Sequence, residues 1–317
     1  MNVILEDSIS DDKAHKNSAI KSLIFTPKRS IGNHLFSPKQ KLEVSLWSEM
    51  ETRRYPKRVT LISNLIHDRE AIMLYSPTGV GKTWLSLSIA MMVAGKGQLE
   101  VLDWENKDPQ PVCYVDGEML EEDMQERIKM LIPSLSIDEE ELRKNFRYLS
   151  RVSQKEEIED FLSLELKENQ LELLKWLKDN SGKGKHPLLV LDNLSNLAEL
   201  GDENSSGQMQ SFNMMVTKAR KFGCSMVTVH HTGKSMTHGP DGIPTWRGSY
   251  DMATRLDKTL CLLPCQSSLD GYITFQVLEG KSRRGERINK TIQFNPFEKK
   301  WEIYDETVTE DRHQLVK

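Results

Sequence analysis

One stretch of the chain, residues 71–93, constrains the fold more than any other. It reads AIMLYSPTGVGKTWLSLSIAMMV, which is an apolar strand, a turn containing glycine and an apolar helix. Gly79 and Gly81 allow a tight turn whose backbone N–H groups point inward as a nest for an anion. The helix that follows adds its own free N–H groups and the positive end of its dipole. This order is typical of a P-loop that binds nucleotide phosphates.

The residues of the turn have distinct expected roles. Lys82 would place its ammonium on the β- and γ-phosphates of ATP, and Thr83 would offer its hydroxyl to Mg²⁺. Ser76 stands where the motif usually begins with glycine, and serine has less backbone freedom. A chance Gly-Lys-Thr loop is the alternative, but the flanking strand and helix favour a nucleotide site. The predicted nucleotide-binding residues are Ser76, Pro77, Thr78, Gly79, Val80, Gly81, Lys82, Thr83 and Trp84.

Composition indicates a globular protein of one large domain or two small ones. The chain has 317 residues, of which 38% are hydrophobic and 28% charged, and a net charge of −4 excludes a protein that is basic overall. No apolar run approaches the ~20 residues that span a bilayer, and the N-terminus does not resemble a secretory signal. We therefore expect a cytoplasmic protein without a membrane segment. The spacing of its cysteines, at positions 113, 224, 261 and 265, favours buried reduced thiols over a zinc site.

Two further apolar runs end on acidic residues, as catalytic strands of parallel sheets do. Residues 112–115 precede Asp116 and Glu118, and residues 188–191 precede Asp192. Asp192 lies 110 residues after Lys82 and matches a Walker B carboxylate, which would reach Mg²⁺ beside the P-loop. Glu118 is a candidate base for activating water. A helix N-cap is the alternative for both acidic residues of the first run, and we favour it for Asp116.

The strand predicted at residues 224–231 ends on His230 and His231, which could contact the γ-phosphate. The loop that follows, residues 232–247, is long and rich in glycine and proline, and such loops are often functional. Its Lys234 and Arg247 suit contact with the phosphate backbone of DNA. A satisfied histidine at a strand end and an ordinary surface loop are the alternatives.

The remaining segments complete an α/β pattern. Residues 59–66 would form a short helix before the first strand, and residues 120–131, 162–177 and 208–222 would form longer helices. Strands are predicted near residues 147–152, 259–263, 273–278, 288–294 and 301–304. A turn with Lys281 and Arg283 precedes the last two, and from the residues alone a solvent-exposed basic hairpin explains it as well as catalysis does. The predicted organisation is a flexible arm with a docking segment at residues 1–55, a central domain at residues 56–305 and a polar tail at residues 306–317.

The order of these motifs resembles that of the RecA-like P-loop ATPases, and most closely the RepA-type hexameric replicative helicases of plasmids and mobile elements. The resemblance covers about residues 60–304. It implies an α/β fold with a mostly parallel central sheet flanked by helices and with antiparallel strands toward the C-terminus. It also implies a motor driven by ATP on single-stranded DNA in replication of a mobile element or phage. A RecA-like regulatory or defence-system ATPase switch without unwinding is the alternative.

The same resemblance implies roles for single residues. Glu118 matches the catalytic glutamate, and either His230 or His231 matches the sensor that couples nucleotide to the DNA-facing loop. Lys281 and Arg283 match a pair that enters the neighbouring subunit's site as piston and arginine finger. Arg284 is a rival for the finger. A finger supplied in trans implies a homo-oligomer, with a homohexameric ring as the expected form.

Overall fold

The computed structural model describes residues 44–154, 163–198, 206–233, 238, 243–246, 254–265, 270–282 and 287–304, with backbone only at residues 206–210. The strands are β1 Thr60–Ile62, β2 Ile66–His67, β3 Ala71–Ser76, β4 Gln98–Leu99, β5 Trp104–Glu105, β6 Val112–Asp116, β7 Phe146–Ser150, β8 Leu188–Asp192, β9 Ser225–His231, β10 Lys258–Pro264, β11 Ile273–Ser282, β12 Asn289–Asn295 and β13 Lys300–Ile303. The helices are α1 Trp47–Thr52, α2 Lys82–Gly95, α3 Glu121–Leu131, α4 Glu139–Asn145, α5 Lys167–Asp179, α6 Leu194–Ala198 and α7 Ser206–Phe222.

One large sheet organises these elements, with strand order β13-β12-β11-β10-β3-β9-β8-β6-β7. The strands from β10 to β7 in this order are parallel, and β11, β12 and β13 add an antiparallel edge. Every residue of β3, β6 and β8 is buried, as expected for parallel strands covered on both faces. The predicted fold class, an α/β fold with a mostly parallel central sheet and antiparallel strands toward the C-terminus, is confirmed.

Helices cover both faces of this sheet. Helices α2, α3 and α4 pack on one face with the hairpin β1–β2, and α5, α6 and α7 pack on the other. Helix α2 is buried almost all round, which explains why its sequence is apolar without a polar stripe. As expected, Cys113, Cys224 and Cys261 are buried thiols that form no disulfide.

The segment at residues 59–66 is a hairpin, and the helix predicted there is wrong. Thr60 pairs with His67 and Ile62 with Ile66, in antiparallel register. Asn64 at the turn has a φ of 61°, in the left-handed region that a right-handed helix does not contain. Burial of the apolar residues on both arms explains why this short run looked helical: its hydrophobicity fits either element.

The N-terminal arm enters the described chain at residue 44. Helix α1 buries none of its residues, and Trp47 is 72% exposed. Because residues 1–43 and 305–317 lie outside the described residues, the predicted boundaries of arm and tail stay predictions. No helix in the described part of the chain has the length and apolar character needed to span a membrane.

Candidate active site

The P-loop turn connects the buried strand β3 to helix α2. Gly79 has a φ of 82° and Gly81, which caps the helix, a φ of 120°, so both glycines use conformations that other residues rarely adopt. The Lys82 ammonium donates to the Pro77 carbonyl at 2.8 Å and to the Ser76 carbonyl at 3.2 Å. These contacts place the predicted phosphate-binding lysine inside the loop that precedes it.

Ser76 fits its position because it is the last residue of β3, in extended backbone that any residue adopts. Its hydroxyl oxygen lies 3.0 Å from Lys82 Nζ and accepts a hydrogen bond from it. The departure from the usual motif therefore leaves the turn unstrained and gives the lysine a further partner.

Lys82 faces two carboxylates of the site. Burial lowers the pKa of Lys82 to about 8, while the charges of Asp192 and Glu118 act in the opposite direction. These residues come from three separate segments of the chain. The structure thus brings the predicted phosphate, metal and catalytic residues to one end of the sheet.

Asp192 ends β8 beside Asp116, which ends the neighbouring β6. Its Oδ2 accepts a hydrogen bond from the Tyr114 hydroxyl at 2.6 Å. Burial raises the pKa of the Asp192 carboxyl, and hydrogen bonds from Tyr114 and Thr83 oppose that rise. The contact between the Thr83 hydroxyl and the Asp192 carboxylate supplies the hard oxygen donors that Mg²⁺ prefers. Since Mg²⁺ is usually held by one or two protein groups plus substrate phosphates, this pair fits such a site.

No denser metal site competes with this pair. Among the described residues, no three histidine, cysteine, aspartate or glutamate side chains converge as metal ligands.

Glu118 lies just beyond β6 and is exposed. Its Oε2 accepts a hydrogen bond of 2.8 Å from Nδ2 of Asn193, the residue that follows Asp192. Asn193 is itself fixed, because its Oδ1 accepts a hydrogen bond of 3.1 Å from the backbone N–H of Asn196 in α6. The Glu118 carboxylate is therefore tied to the same strand end as Asp192.

Asp116 has a structural position. Its Oδ1 accepts hydrogen bonds from the N–H groups of Glu118 at 2.9 Å and Met119 at 2.6 Å. Burial raises its pKa to about 6, although those two bonds oppose the shift. Helix α3 has Leu120 at its N-cap, so Asp116 organises the turn before the helix rather than capping the helix itself.

The two histidines differ in their surroundings. His230 is fully buried opposite Tyr75, with its Nδ1 3.5 Å from the Ser195 hydroxyl. His231 is partly buried and lies opposite Ser76, where the P-loop begins. Both positions adjoin the P-loop strand, and the sensor role of either one stays a prediction.

The loop after β9 leaves from this same point. Thr232 forms a bridge with Trp246, and His238 forms one with Pro244, so its described parts run as an antiparallel pair. The Trp246 ring meets Tyr75 edge-on, with centroids 5.5 Å apart. Lys234 and Arg247, the predicted DNA contacts, lie outside the described residues.

Lys281 does not join the cluster around Lys82. It lies near the end of β11, where its N–H donates to the Thr259 hydroxyl at 2.8 Å. Strand β11 runs antiparallel to β10, so this end points away from the carboxyl ends that carry the P-loop. Arg283 and Arg284 lie outside the described residues.

Trp84, the last of the predicted nucleotide-binding residues, is held by packing. Its ring stacks on Phe294 with centroids 5.0 Å apart, and the Arg127 guanidinium lies 5.2 Å from its centroid. This contact joins the start of α2 to the antiparallel edge of the sheet.

Tyr114 and Asn193 are site residues that the sequence analysis missed. Tyr114 interrupts an otherwise aliphatic strand, and a buried tyrosine hydroxyl usually needs a partner, which was a usable signal. No comparable signal marks Asn193, whose contact with Glu118 depends on the strand order of the sheet.

Comparison with known proteins supports a shared fold. A family model described as an AAA domain matches residues 37–236. No curated protein matches the chain significantly. The KaiC-like protein PH0186 from Pyrococcus horikoshii OT3 has a TM-score of 0.51 and 15% identity, over 77% of this chain and 94% of that chain. A second solved structure, described as an ATPase domain, has a TM-score of 0.49 and 16% identity, over 75% and 85% of the two chains.

Proposed function

We propose that this chain, which belongs to the AAA domain family and has a RecA-like P-loop ATPase core, hydrolyses ATP to drive a ring-shaped motor along single-stranded DNA. The motor would act as a helicase or translocase in replication of a mobile element or phage. That biological setting rests on the order of motifs shared with RepA-type helicases.

The observation that carries the proposal is the meeting of Lys82, Asp192 and Glu118 at one end of the sheet. Ser86, four residues after Lys82 on α2, lies 3.4 Å from Asp192, and Glu118 accepts a hydrogen bond of 2.8 Å from the residue that follows Asp192. In this arrangement Lys82 and the N–H groups of the turn bind the phosphates of ATP, and Thr83 with Asp192 would hold Mg²⁺. A cation held there would neutralise charge on the phosphates. Glu118 orients the attacking water and accepts its proton, since Asn193 leaves one carboxylate oxygen available for that contact.

The route to DNA in this proposal runs through β9. His231 lies beside Ser76 at the start of the P-loop, and the Thr232 N–H donates to the Ser76 carbonyl at 3.0 Å. A shift at the phosphates can therefore act directly on the loop that carries Lys234 and Arg247. Basic groups on such a loop would contact the DNA backbone.

The test of the motor is stimulation of ATP hydrolysis by single-stranded DNA. We expect oligonucleotides to raise the hydrolysis rate several-fold, with stimulation that weakens as salt increases because phosphate contacts release counterions. Lys234→Ala is expected to weaken this stimulation and its dependence on salt. Steady-state hydrolysis at several salt concentrations measures both. A rate that does not respond to DNA at any salt concentration would refute the motor and support the regulatory switch.

The ring is supported by the placement of Lys281, which lies away from the P-loop of its own chain. We propose that Lys281 and Arg283 act on the neighbouring subunit's nucleotide.

Arg283→Ala and Lys82→Ala subunits should each be inactive alone and recover part of the activity when mixed, because mixed interfaces pair an intact finger with an intact P-loop. Hydrolysis measured across mixing ratios checks this. Mixtures that stay inactive, although native mass shows that the subunits exchange, would exclude a finger in trans.

A further inference from the structure

We propose that Tyr114 and Ser86 are positioning residues, which fix the Asp192 carboxylate in the orientation that divalent cation binding requires. This inference rests on the proposed ATPase site and adds two residues to it. Neither residue belongs to the P-loop or Walker B motifs found in the sequence.

The contacts form a closed triangle of oxygen atoms. The Tyr114 hydroxyl lies 2.6 Å from Asp192 Oδ2, the Ser86 hydroxyl lies 2.8 Å from that of Tyr114, and Ser86 Oγ lies 3.4 Å from the same Oδ2. All three residues are at most 5% exposed. Because the Tyr114 hydroxyl donates to Oδ2, and the Ser86 hydroxyl donates to the Tyr114 oxygen and lies against the same Oδ2, rotation of the carboxylate about its Cβ–Cγ bond is restricted.

The triangle joins three elements of the site. Tyr114 belongs to β6, which pairs directly with β8, and Ser86 lies on α2 three residues after Thr83. Residues three apart share a face of a helix, and the Ser86 hydroxyl oxygen lies 3.2 Å from the Thr83 carbonyl oxygen. The two hydroxyls therefore set Asp192 relative to Thr83, the second predicted cation ligand.

Packing alone does not account for a tyrosine at position 114. Its neighbours in β6 are Val112, Cys113 and Val115, and an unpaired hydroxyl buried among them would be unfavourable. A lysine or arginine would satisfy the carboxylate, but its positive charge would compete with a cation. A neutral hydroxyl orients the carboxylate and preserves its negative charge for the cation, as outer-sphere partners of metal ligands do.

The experiment compares Tyr114→Phe and Ser86→Ala with Tyr148→Phe as the matched control. Tyr148 lies on the adjacent strand β7, its ring centroid is 6.3 Å from that of Tyr114, and its hydroxyl forms no hydrogen bond with Asp192 in the described part of the chain. The readout is binding of a fluorescent, non-hydrolysable ATP analogue, titrated with Mg²⁺ and measured separately in EDTA. Thermal unfolding without Mg²⁺ shows whether each variant is folded.

We expect Tyr114→Phe to raise the Mg²⁺ concentration for half-maximal binding by about tenfold or more, in the range of outer-sphere substitutions at metal sites. Ser86→Ala should raise it less, and the double variant should show a non-additive effect because the two hydroxyls contact each other. Affinity in EDTA should stay within about twofold of the wild type for each variant, which a merely structural defect would not allow. Tyr148→Phe should leave the Mg²⁺ midpoint unchanged.

A wild-type midpoint in both Tyr114→Phe and Ser86→Ala would overturn the inference, and so would equal losses with and without Mg²⁺. Ser86→Ala alone decides the matter if Tyr114→Phe does not fold. The proposed site fails separately if nucleotide binding by the wild type does not depend on Mg²⁺ and Asp192→Asn has no effect. A wild type that depends on Mg²⁺ with an unaffected Tyr114→Phe rejects only the positioning role.

Discussion

Glu118→Gln is expected to lower ATP turnover by about 10²–10⁴-fold, the usual contribution of a general base. The side chain keeps its size, and its carbonyl oxygen can still accept the hydrogen bond that Asn193 donates at 2.8 Å. The amide cannot take a proton from water at neutral pH. Since Lys82 and the glycine turn are untouched, ATP binding should remain within a few-fold of the wild type. Hydrolysis rate and nucleotide affinity, measured on the same preparation, separate the two effects.

Glu122→Gln is the matched control for this substitution. Glu122 is exposed in the first turn of α3, four residues after Glu118, so it carries the same charge change near the site. The ATP turnover of Glu122→Gln should match that of the wild type. Normal turnover in Glu118→Gln, or an equal loss in both variants, would remove Glu118 from the chemistry.

Gly81→Ala is expected to give the largest loss of stability of any P-loop substitution. A Cβ there would lie 2.7 Å from Ile273 Cγ2 and 2.8 Å from Phe275 Cε1, closer than real contacts allow. Phe275 is fully buried, and the φ of 120° disfavours any side chain. Backbone strain and overpacking each cost about 1–3 kcal/mol, so the free energy of unfolding should fall by about 2–6 kcal/mol. Urea unfolding monitored by circular dichroism measures this.

Gly79→Ala separates the two causes of that loss. Gly79 also has a positive φ, 82°, but among the described residues no atom beyond its chain neighbours would lie within 4 Å of an added Cβ. Only the backbone cost of about 1–2 kcal/mol applies there. Equal losses of unfolding free energy in the two variants would show that the close approach of β11 does not prevent a side chain at position 81.

The strands that carry the site could be located from the sequence because each is a continuous apolar run bounded by a clear marker. Strand β3 ends at the glycine turn, and β8 ends at Asp192. Parallel strands buried on both faces produce this pattern. Residues 59–66 lacked such a marker, because the turn at Asn64, with its φ of 61°, contains neither glycine nor proline. The helix predicted there was therefore wrong.

Motif residues of the site were predictable for the same reason, whereas the contacts that orient them were not. Lys82, Asp192 and Glu118 stand at recognisable positions, in the glycine turn or just after an apolar strand, because phosphate and metal binding require them there. The hydrogen bonds of Tyr114 and Asn193 join residues 75 or more positions apart, namely Tyr114 to Asp192 and Asn193 to Glu118. Those contacts depend on β6 lying next to β8, and the order of strands in the sheet cannot be predicted from local sequence patterns.

The central place of β3 has a consequence for how the protein is made. Its neighbours in the sheet are β9 and β10, so the P-loop strand leaves the ribosome long before Ser225 and Lys258, where its partners begin. At ~5–20 residues per second, roughly 7–30 seconds pass between synthesis of this apolar strand and synthesis of its first partner. During that interval its edges can pair with other chains. Slower synthesis or a shortage of chaperones should therefore lower the yield of folded protein.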